Sequence, residues 1–302
     1  MEIIKELIHS KEYTSIALGY FDGVHMGHKA VIREAVEYAE KNSLVPAVFT
    51  LLQSPRLVLF GEAPKNIISL EDKLDVFERL GVKRVYLIDF RTIRHFDAEA
   101  FVRDILKDCF NSKHTGCGFN YHFGNGAYGN GEILSKLCRK YGISETTQTQ
   151  LCYNNIPISS TRIRQCISQG DISSASAMLG RKYGFSLPVI HGRQLGRKLG
   201  FPTLNQRFPD GLIQPPFGVY SSYVKVDNKL YKGISNIGMK PTVGSDEVLI
   251  ETWMPEYSGR ELYGEKLEIC FDSFIRHEKK FNSLDDLKAA ILNDKNIIFN
   301  ND

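Results

Sequence analysis

TSIALGYFDGVHMGHKAVIREAVEYAEK, residues 14–41, decides the fold class of the first half of this chain. TSIALG is a short apolar run of the kind buried on both faces of a parallel sheet. In KAVIREAVEYAEK, Val31, Ala35 and Ala39 recur at helical spacing with Ile32 and Val36 beside them, so the strand feeds a helix. Between the two lies a loop with Gly19, Gly23 and Gly27, which lets backbone approach a ligand closely. The N–H groups and positive dipole end of the following helix suit phosphate, and His25 and His28 flank Gly27. The loop is neither a GK[ST] P-loop nor GxGxxG, and no third ligand beside the histidines calls for a metal.

Working outward, VPAVFTL (45–51), RVYLID (84–89) and HTGCG (114–118) read as further strands. SLEDKLDVFERLG opens on Ser69 with Asp72 three residues on, like a capping box, and closes at Gly81. Strand–helix–strand repetition predicts a parallel α/β sheet with right-handed crossovers, and ligands then bind beyond the strand ends. After about residue 184 the texture changes. FSLPVIHG, GVYSSYVKV, KLYKGISNIG, VLIETW and KLEICF are short β-branched and aromatic runs broken by Gly, Pro and Asn, which predicts an antiparallel sandwich or small barrel. SLDDLKAAILND (283–294) predicts a terminal helix, and 161–182 a helical segment joining the halves. The expected domains are 1–182 and 183–302.

Composition is that of a soluble globular protein: 302 residues, 42% hydrophobic, 24% charged, net charge +3. That charge is too small for a nucleic-acid coat, and no apolar run is long enough to span a membrane, so neither partner is expected. The charged start, MEIIKELIHSKEYT, lacks the apolar core of a signal peptide. Six scattered cysteines without a CxxC pair argue for reduced thiols in the cytoplasm.

GxFDGxHxGH resembles the signature of the HxGH nucleotidylyltransferases, and ISSTRIR (158–164) resembles their downstream ISSTxIR motif. The resemblance implies that His25 and His28 stabilise charge on ATP, with Gly19, Phe21, Asp22, Gly23, Gly27, Asn120, Ser160, Thr161 and Arg164 in the nucleotide site. Ser159, Ser160 and Thr161 can cap the next helix and Arg164 can clamp phosphate with its fork; with HxGH upstream the phosphate role is the expectation.

In GRKLGFPTLN (196–205), which opens the β-rich half, Gly–Phe–Pro–Thr is a rigid turn, because Pro202 fixes its own φ and keeps Phe201 extended. It sets Thr203 and Asn205 on one side of an extended chain, two neutral oxygens suited to a hydrated Mg²⁺ carrying phosphates. GxxxGxPTxN resembles the hallmark of bacterial riboflavin kinases. Similar pieces follow in order, GVY (218–220), NIGMKPTVG (236–244), ET (251–252), LYGEKL (262–267) and IRHEKKF (275–281). This resemblance implies Glu251 as catalytic base, Thr203 and Asn205 as the Mg²⁺ site, and Gly192, Gly196, Lys198, Gly200 and Pro202 around the nucleotide.

Together the halves resemble the bifunctional riboflavin kinase/FMN adenylyltransferase (FAD synthetase) family. The implied fold is a Rossmann-like HxGH domain followed by an antiparallel β-barrel kinase domain with a terminal helix. The implied ligands are riboflavin, FMN, FAD, ATP and ADP, with Mg²⁺ accompanying ATP. A member with one activity, a flavin- or nucleotide-sensing binding protein, and an unrelated HxGH adenylyltransferase are the alternatives. The chain departs from the pattern at Ser54, where FxPHP has a histidine, and at Ala127 and Asn130, where an Arg and an Asp are usual. Leu204 and Trp253 are smaller departures in the kinase half. The expected consequence is weaker substrate binding in the first domain with its chemistry intact.

Overall fold

The structure is a computed structural model and describes residues 1–192, 195–242 and 245–300. The chain divides into two compact units between Ser160 and Thr161.

The first unit runs β1 (Glu2–Ile4), β2 (Thr14–Leu18), α1 (Met26–Asn42), β3 (Val45–Leu51), α2 (Pro55–Phe60), α3 (Leu70–Arg79), β4 (Arg84–Ile88), α4 (Phe90–Ile93) and α5 (Ala98–Ala100). A π-helix (Phe101–Cys109), β5 (Ser112–Gly118), α6 (Gly131–Tyr141), β6 (Ser144–Gln148) and the small hairpin β7 (Cys152–Tyr153) and β8 (Ile156–Pro157) complete it. The main sheet is parallel throughout, in the order β1-β4-β3-β2-β5-β6. Alternate residues bury on opposite faces. Ile16, Leu18, Phe49 and Tyr86 meet the π-helix and α6 through Phe101, Ile105 and Leu134. Ala17, Val48, Val85 and Leu87 meet α1 and α3 through Val31, Ile32 and Phe77. This two-sided burial is why those strands read as continuous apolar runs. Strand order reverses at β2, whose neighbours are β3 and β5. The 19–28 loop leaves the carboxyl end of β2, so it sits at the topological switch point where doubly wound sheets bind ligands.

Edge strands β1 and β6 were not expected from the sequence. The SETTQ of β6 is polar and partly exposed, so it lacks the two-faced apolar signal.

The second unit opens with α7 (Ser160–Ser168) and α8 (Ile172–Leu179). The segment expected to be one helical joint breaks at Gly170, whose φ is +81°, and restarts with Asp171 capping α8. Both helices group with the second unit, except for Ser160 itself. Then come β9 (Tyr183–Pro188), α9 (Leu195–Leu199), β10 (Thr203–Arg207), β11 (Gly218–Val226), β12 (Lys229–Thr242), β13 (Ser245–Trp253), β14 (Lys266–His277) and α10 (Leu284–Phe299). The antiparallel sheet has the order β10-β13-β12-β11-β14-β9. Its edges meet: Ile190, just past β9, donates its N–H to Asn205 of β10 at 2.8 Å. Gln206 of β10 donates its amide to the carbonyls of Leu187 and Leu267 at 2.8 and 3.1 Å. Tyr220, Ser222, Val224, Ser235, Ile237, Ile250 and Thr252 are buried on the inner face. On the outer face α10 packs Ile298 and Phe299 against Val219, Ile234, Trp253 and Ile275.

Candidate functional sites, one in each unit

In the first unit His25 is the N-cap of α1, so Gly27 and His28 lie within the helix's first turn. The His28 N–H donates to His25 Nδ1 at 3.3 Å. That bond makes His25 Nδ1 an acceptor and puts the proton of the neutral ring on Nε2. The two imidazoles stack with centroids 3.5 Å apart. A side chain at Gly27 would press its Cβ to 3.2 Å from the His25 ring, which would have to shift to admit it. Phe21 packs edge-on to His28 at 5.3 Å and to Phe77 at 5.9 Å. Burial, with the His25 and Lys73 charges adding, holds His28 well below the ordinary histidine range. Its Nδ1 is buried and has no hydrogen-bond partner among the described residues.

The preceding loop is strained. Phe21 (φ 54°), Gly23 (φ 78°) and Val24 (φ 41°) all lie in the left-handed region, which a β-branched residue such as Val24 avoids. Contacts from distant segments hold it. Asp22 Oδ1 accepts the Ile67 N–H at 2.9 Å, and the Asp22 carbonyl accepts the Ser160 hydroxyl at 3.0 Å. Ser160, read from the sequence as a nucleotide-site residue with helix capping as the alternative, is the first residue of α7, and its hydroxyl serves this loop. At Gly19 a Cβ would sit 2.8 Å from the Phe21 ring. Asn120 is exposed in the turn after β5, the other strand at the switch point. Thr161 and Arg164 fall in the second unit.

The three departures of the first half, Ser54, Ala127 and Asn130, lie at helix caps or in a short 3-10 turn of the first unit. Ser54 is the N-cap position of α2 and makes no capping bond. Ala127 takes a φ of 57°, and Asn130 caps α6 by accepting the Ile133 N–H at 3.0 Å. An aspartate would cap as well, so the cap explains no preference for Asn130.

Lys73 of α3 was absent from the sequence reading. It is 5% exposed, and its ammonium donates to the Tyr20 carbonyl at 3.3 Å and lies 4.9 Å from the centre of the Tyr20 ring. Burial pulls it from 10.5 to about 8, against the upward pull of Asp22. Nothing in SLEDKLDVF marks this lysine, because lysines at such spacing usually line a solvated helix face.

In the second unit, register does the assembling. On β10 and β13, Asn205 stands directly opposite Glu251, and Thr203 opposite Trp253. On β12 and β13, Asn236 stands opposite Glu251. Opposed residues of antiparallel strands share a face with Cβ atoms about 4.5–5.5 Å apart. Asn205, Glu251 and Asn236 therefore form one row on the outer face of the sheet, the face α10 flanks. Glu251 is half-buried, its side chain 29% exposed, and its Oε2 pairs with the Lys240 ammonium at 2.9 Å. Asn236 donates its amide to Glu278 at 3.1 Å. Lys240 and Glu278 also escaped the sequence reading as individual residues, although both lie in family-like segments.

The turn before β10 follows the short helix α9, which the sequence did not announce. Gly200 takes φ +89°, and the Phe201 N–H closes onto the Gly196 carbonyl at 2.8 Å. At Gly196 a Cβ would come within 2.4 Å of the Phe201 carbonyl oxygen. Pro202 is exposed, and Phe201 packs edge-on to Trp253 at 4.8 Å. At Gly192 a Cβ would lie 2.5 Å from the Asn205 amide nitrogen. Leu204 points inward opposite Thr252, away from the row, so its departure from the family pattern leaves that face unchanged. The Lys198 side chain, and Val243 and Gly244 of NIGMKPTVG, lie outside the described residues.

Comparison with known proteins gives the same two-part division. The family model described as FAD synthetase matches residues 7–162, and that described as riboflavin kinase matches residues 179–300. Proteins named bifunctional riboflavin kinase/FMN adenylyltransferase are similar over nearly their full length. The Listeria monocytogenes protein is 35% identical over 95% of this chain and 93% of its own. The Bacillus subtilis protein is 35% identical over 96% and 93%, and the Escherichia coli K12 protein 33% over 93% and 90%. A crystal structure from Streptococcus pneumoniae, described as a macrolide-efflux protein, covers 99% of this chain and 98% of its own with a TM-score of 0.88 and 29% identity. In the present chain no helix among the described residues is long and apolar enough to cross a membrane. With two family models in series and full-length relatives above 30% identity, this chain belongs to the bifunctional riboflavin kinase/FMN adenylyltransferase family.

Proposed function

We propose that this chain carries both activities of its family: ATP-dependent phosphorylation of riboflavin to FMN, then adenylylation of FMN to FAD with release of pyrophosphate. The observation that carries this reading is the row that sets Glu251 beside Asn205 on the outer face of the second unit. Binding a flavin needs no base, whereas phosphoryl transfer to a hydroxyl does. In this reading Glu251 accepts the proton of the ribityl 5′-hydroxyl as that oxygen attacks the γ-phosphate, and ADP leaves. Lys240 holds the carboxylate on the face that carries Asn205.

Thr203 and Asn205 are the proposed Mg²⁺ ligands. They offer two neutral oxygens on one side of β10, and the Asn205 amide packs so closely on Gly192 that a side chain there would push it aside. Bound with ATP, Mg²⁺ supplies charge neutralisation on the phosphates. The turn of Gly196, Gly200 and Pro202, with Lys198, would frame the nucleotide.

In the first unit the FMN phosphate is already a nucleophile, so no protein base is needed. We assign His25 Nε2–H and His28 to the charge that develops on the α-phosphate and on the departing pyrophosphate. The amide groups of the α1 N-terminus, the loop glycines, Asn120 and Ser160 complete the proposed nucleotide site. His28, kept neutral and with Nδ1 lacking a partner, is suited to hydrogen bonding with an arriving group. The setting we infer is the cytoplasm, where ATP is supplied. The experiment is incubation with riboflavin, ATP and Mg²⁺, with FMN and FAD separated by chromatography. Both products are expected. FMN alone would leave a single-activity kinase, and neither product a sensing protein or a member that keeps only the transferase.

A further inference from the structure

Lys73 is an expensive choice for its position. Burying an ammonium that donates one hydrogen bond costs free energy that an apolar side chain of the same length avoids. Its partner is the carbonyl of Tyr20, the first residue of the strained loop. That carbonyl already accepts the Thr50 hydroxyl at 3.0 Å, so it could be satisfied without a charge. Lys73 also lies against the Tyr20 ring, whose hydroxyl donates to Asn66 at 3.0 Å. The same segment supplies Ile67, which binds Asp22, and Phe77, which packs on Phe21. Strain of this kind persists only where surrounding groups over-determine it. Here α3 and the residues before it supply those groups, and they hold a loop that ends on the His25–His28 stack.

We propose that Lys73 is a positioning residue for adenylyl transfer: its buried ammonium clamps the Tyr20 carbonyl and ring and so fixes the 20–24 loop, and with it the histidine pair, in the conformation that receives the ATP phosphates. The inference rests on the assignment of His25 and His28 to those phosphates. The charged and titratable groups acting on the clamp are Asp22 from the loop, which favours the ammonium, and His28 and His25 of α1, with Lys73 in turn opposing protonation of His28. The lysine is charged at neutral pH and loses its proton as pH rises through about 8. Between there and 10.5 the unfolded chain binds the extra proton, so stability rises with pH. Deprotonation of Lys73 by itself therefore does not destabilise the fold in that window.

The test compares wild type, Lys73→Met, Lys73→Arg and His28→Ala. FAD formation from FMN and ATP is measured from about pH 6.5 to 9.5, spanning the lysine's titration. FMN formation from riboflavin in the same preparations is the control. For Lys73→Met, kcat for FAD formation should fall about 10- to 100-fold, the scale of a small misplacement of catalytic groups, with KM for FMN and the control activity nearly unchanged. Lys73→Arg should recover much of the rate and move the alkaline limb of the profile upward, because a guanidinium stays charged. A Lys73→Met enzyme with wild-type kcat at neutral pH would overturn the proposal. So would an alkaline limb that Lys73→Arg leaves in place, the measurement that decides if Lys73→Met proves poorly folded. If His28→Ala itself makes FAD normally, the assignment of the histidines has failed rather than the clamp.

Discussion

Asp294→Ala should unfasten the terminal helix from the kinase sheet. Asp294 of α10 is 1% exposed and binds Arg276 of β14 through two parallel bonds, Nε to Oδ1 at 2.8 Å and Nη2 to Oδ2 at 2.7 Å. The Arg276 side chain is 19% exposed, and its other hydrogen bond, from Nη1, goes to the His277 carbonyl at 3.1 Å. Removing the carboxylate leaves a largely buried guanidinium with no counter-charge, which costs about 3–5 kcal/mol. Against a typical domain stability of about 5–15 kcal/mol, that is roughly a fifth of the total or more. The helix also carries Ile298 and Phe299, which cover Val219, Ile234 and Trp253 on the face that holds Glu251. FMN formation should therefore fall along with stability, while FAD formation from supplied FMN should persist. Trp253 is the chain's single tryptophan, packed between Phe201 and the Lys295 ammonium of α10. Its fluorescence during urea unfolding thus reports the second unit alone. The companion variant Arg276→Met/Asp294→Leu removes both charges and should regain most of the loss, since a buried ion pair replaced by packed apolar groups is often neutral. A single variant that costs less than about 1 kcal/mol, the scale of an exposed pair, would refute the reasoning. A double variant no more stable than the single would do the same.

Other outcomes follow from the two sites. Glu251→Gln should slow FMN formation by about 10²–10⁴ while sparing FAD formation from FMN, as chromatography of both products can show. Equal loss of the two activities would mean the base is misassigned. His28→Ala removes one preorganised group and should cost about 3–4 kcal/mol in FAD formation, so FMN accumulates in a coupled assay. Gly192→Ala should raise KM for ATP in the kinase step and leave FAD formation from FMN alone, because its Cβ would lie 2.5 Å from the Asn205 amide nitrogen.

Local signals carried much of this protein's description. The apolar runs of β2, β3 and β4 announced a sheet buried on both faces, and the helical spacing of Val31, Ala35 and Ala39 placed α1 behind the glycine loop. Capping chemistry marked the start of α3 at Ser69, which accepts the Asp72 N–H at 3.0 Å. Turn chemistry located the Gly–Phe–Pro–Thr corner. All of these depend on residues a few positions apart, so one stretch of chain is enough to read them. The polar edge strand β6 had no such pattern. Of β10 only the extended Thr203–Asn205 stretch after the corner was legible.

What the tertiary structure alone decided is which distant groups meet. Asp22 finds Ile67 across 45 positions and Ser160 across 138, and Lys73 reaches Tyr20 across 53. No spacing rule connects such pairs, because long-range contacts are set by sheet order and by how α3 packs under the β2–α1 loop. The kinase row shows the same dependence. The sequence supplied Asn205 and Glu251 as separate candidates, and the β10–β13 register put them side by side. Side chains alternate faces along a strand, so a slip of one residue would turn Glu251 into the barrel interior and bring Thr252 out in its place.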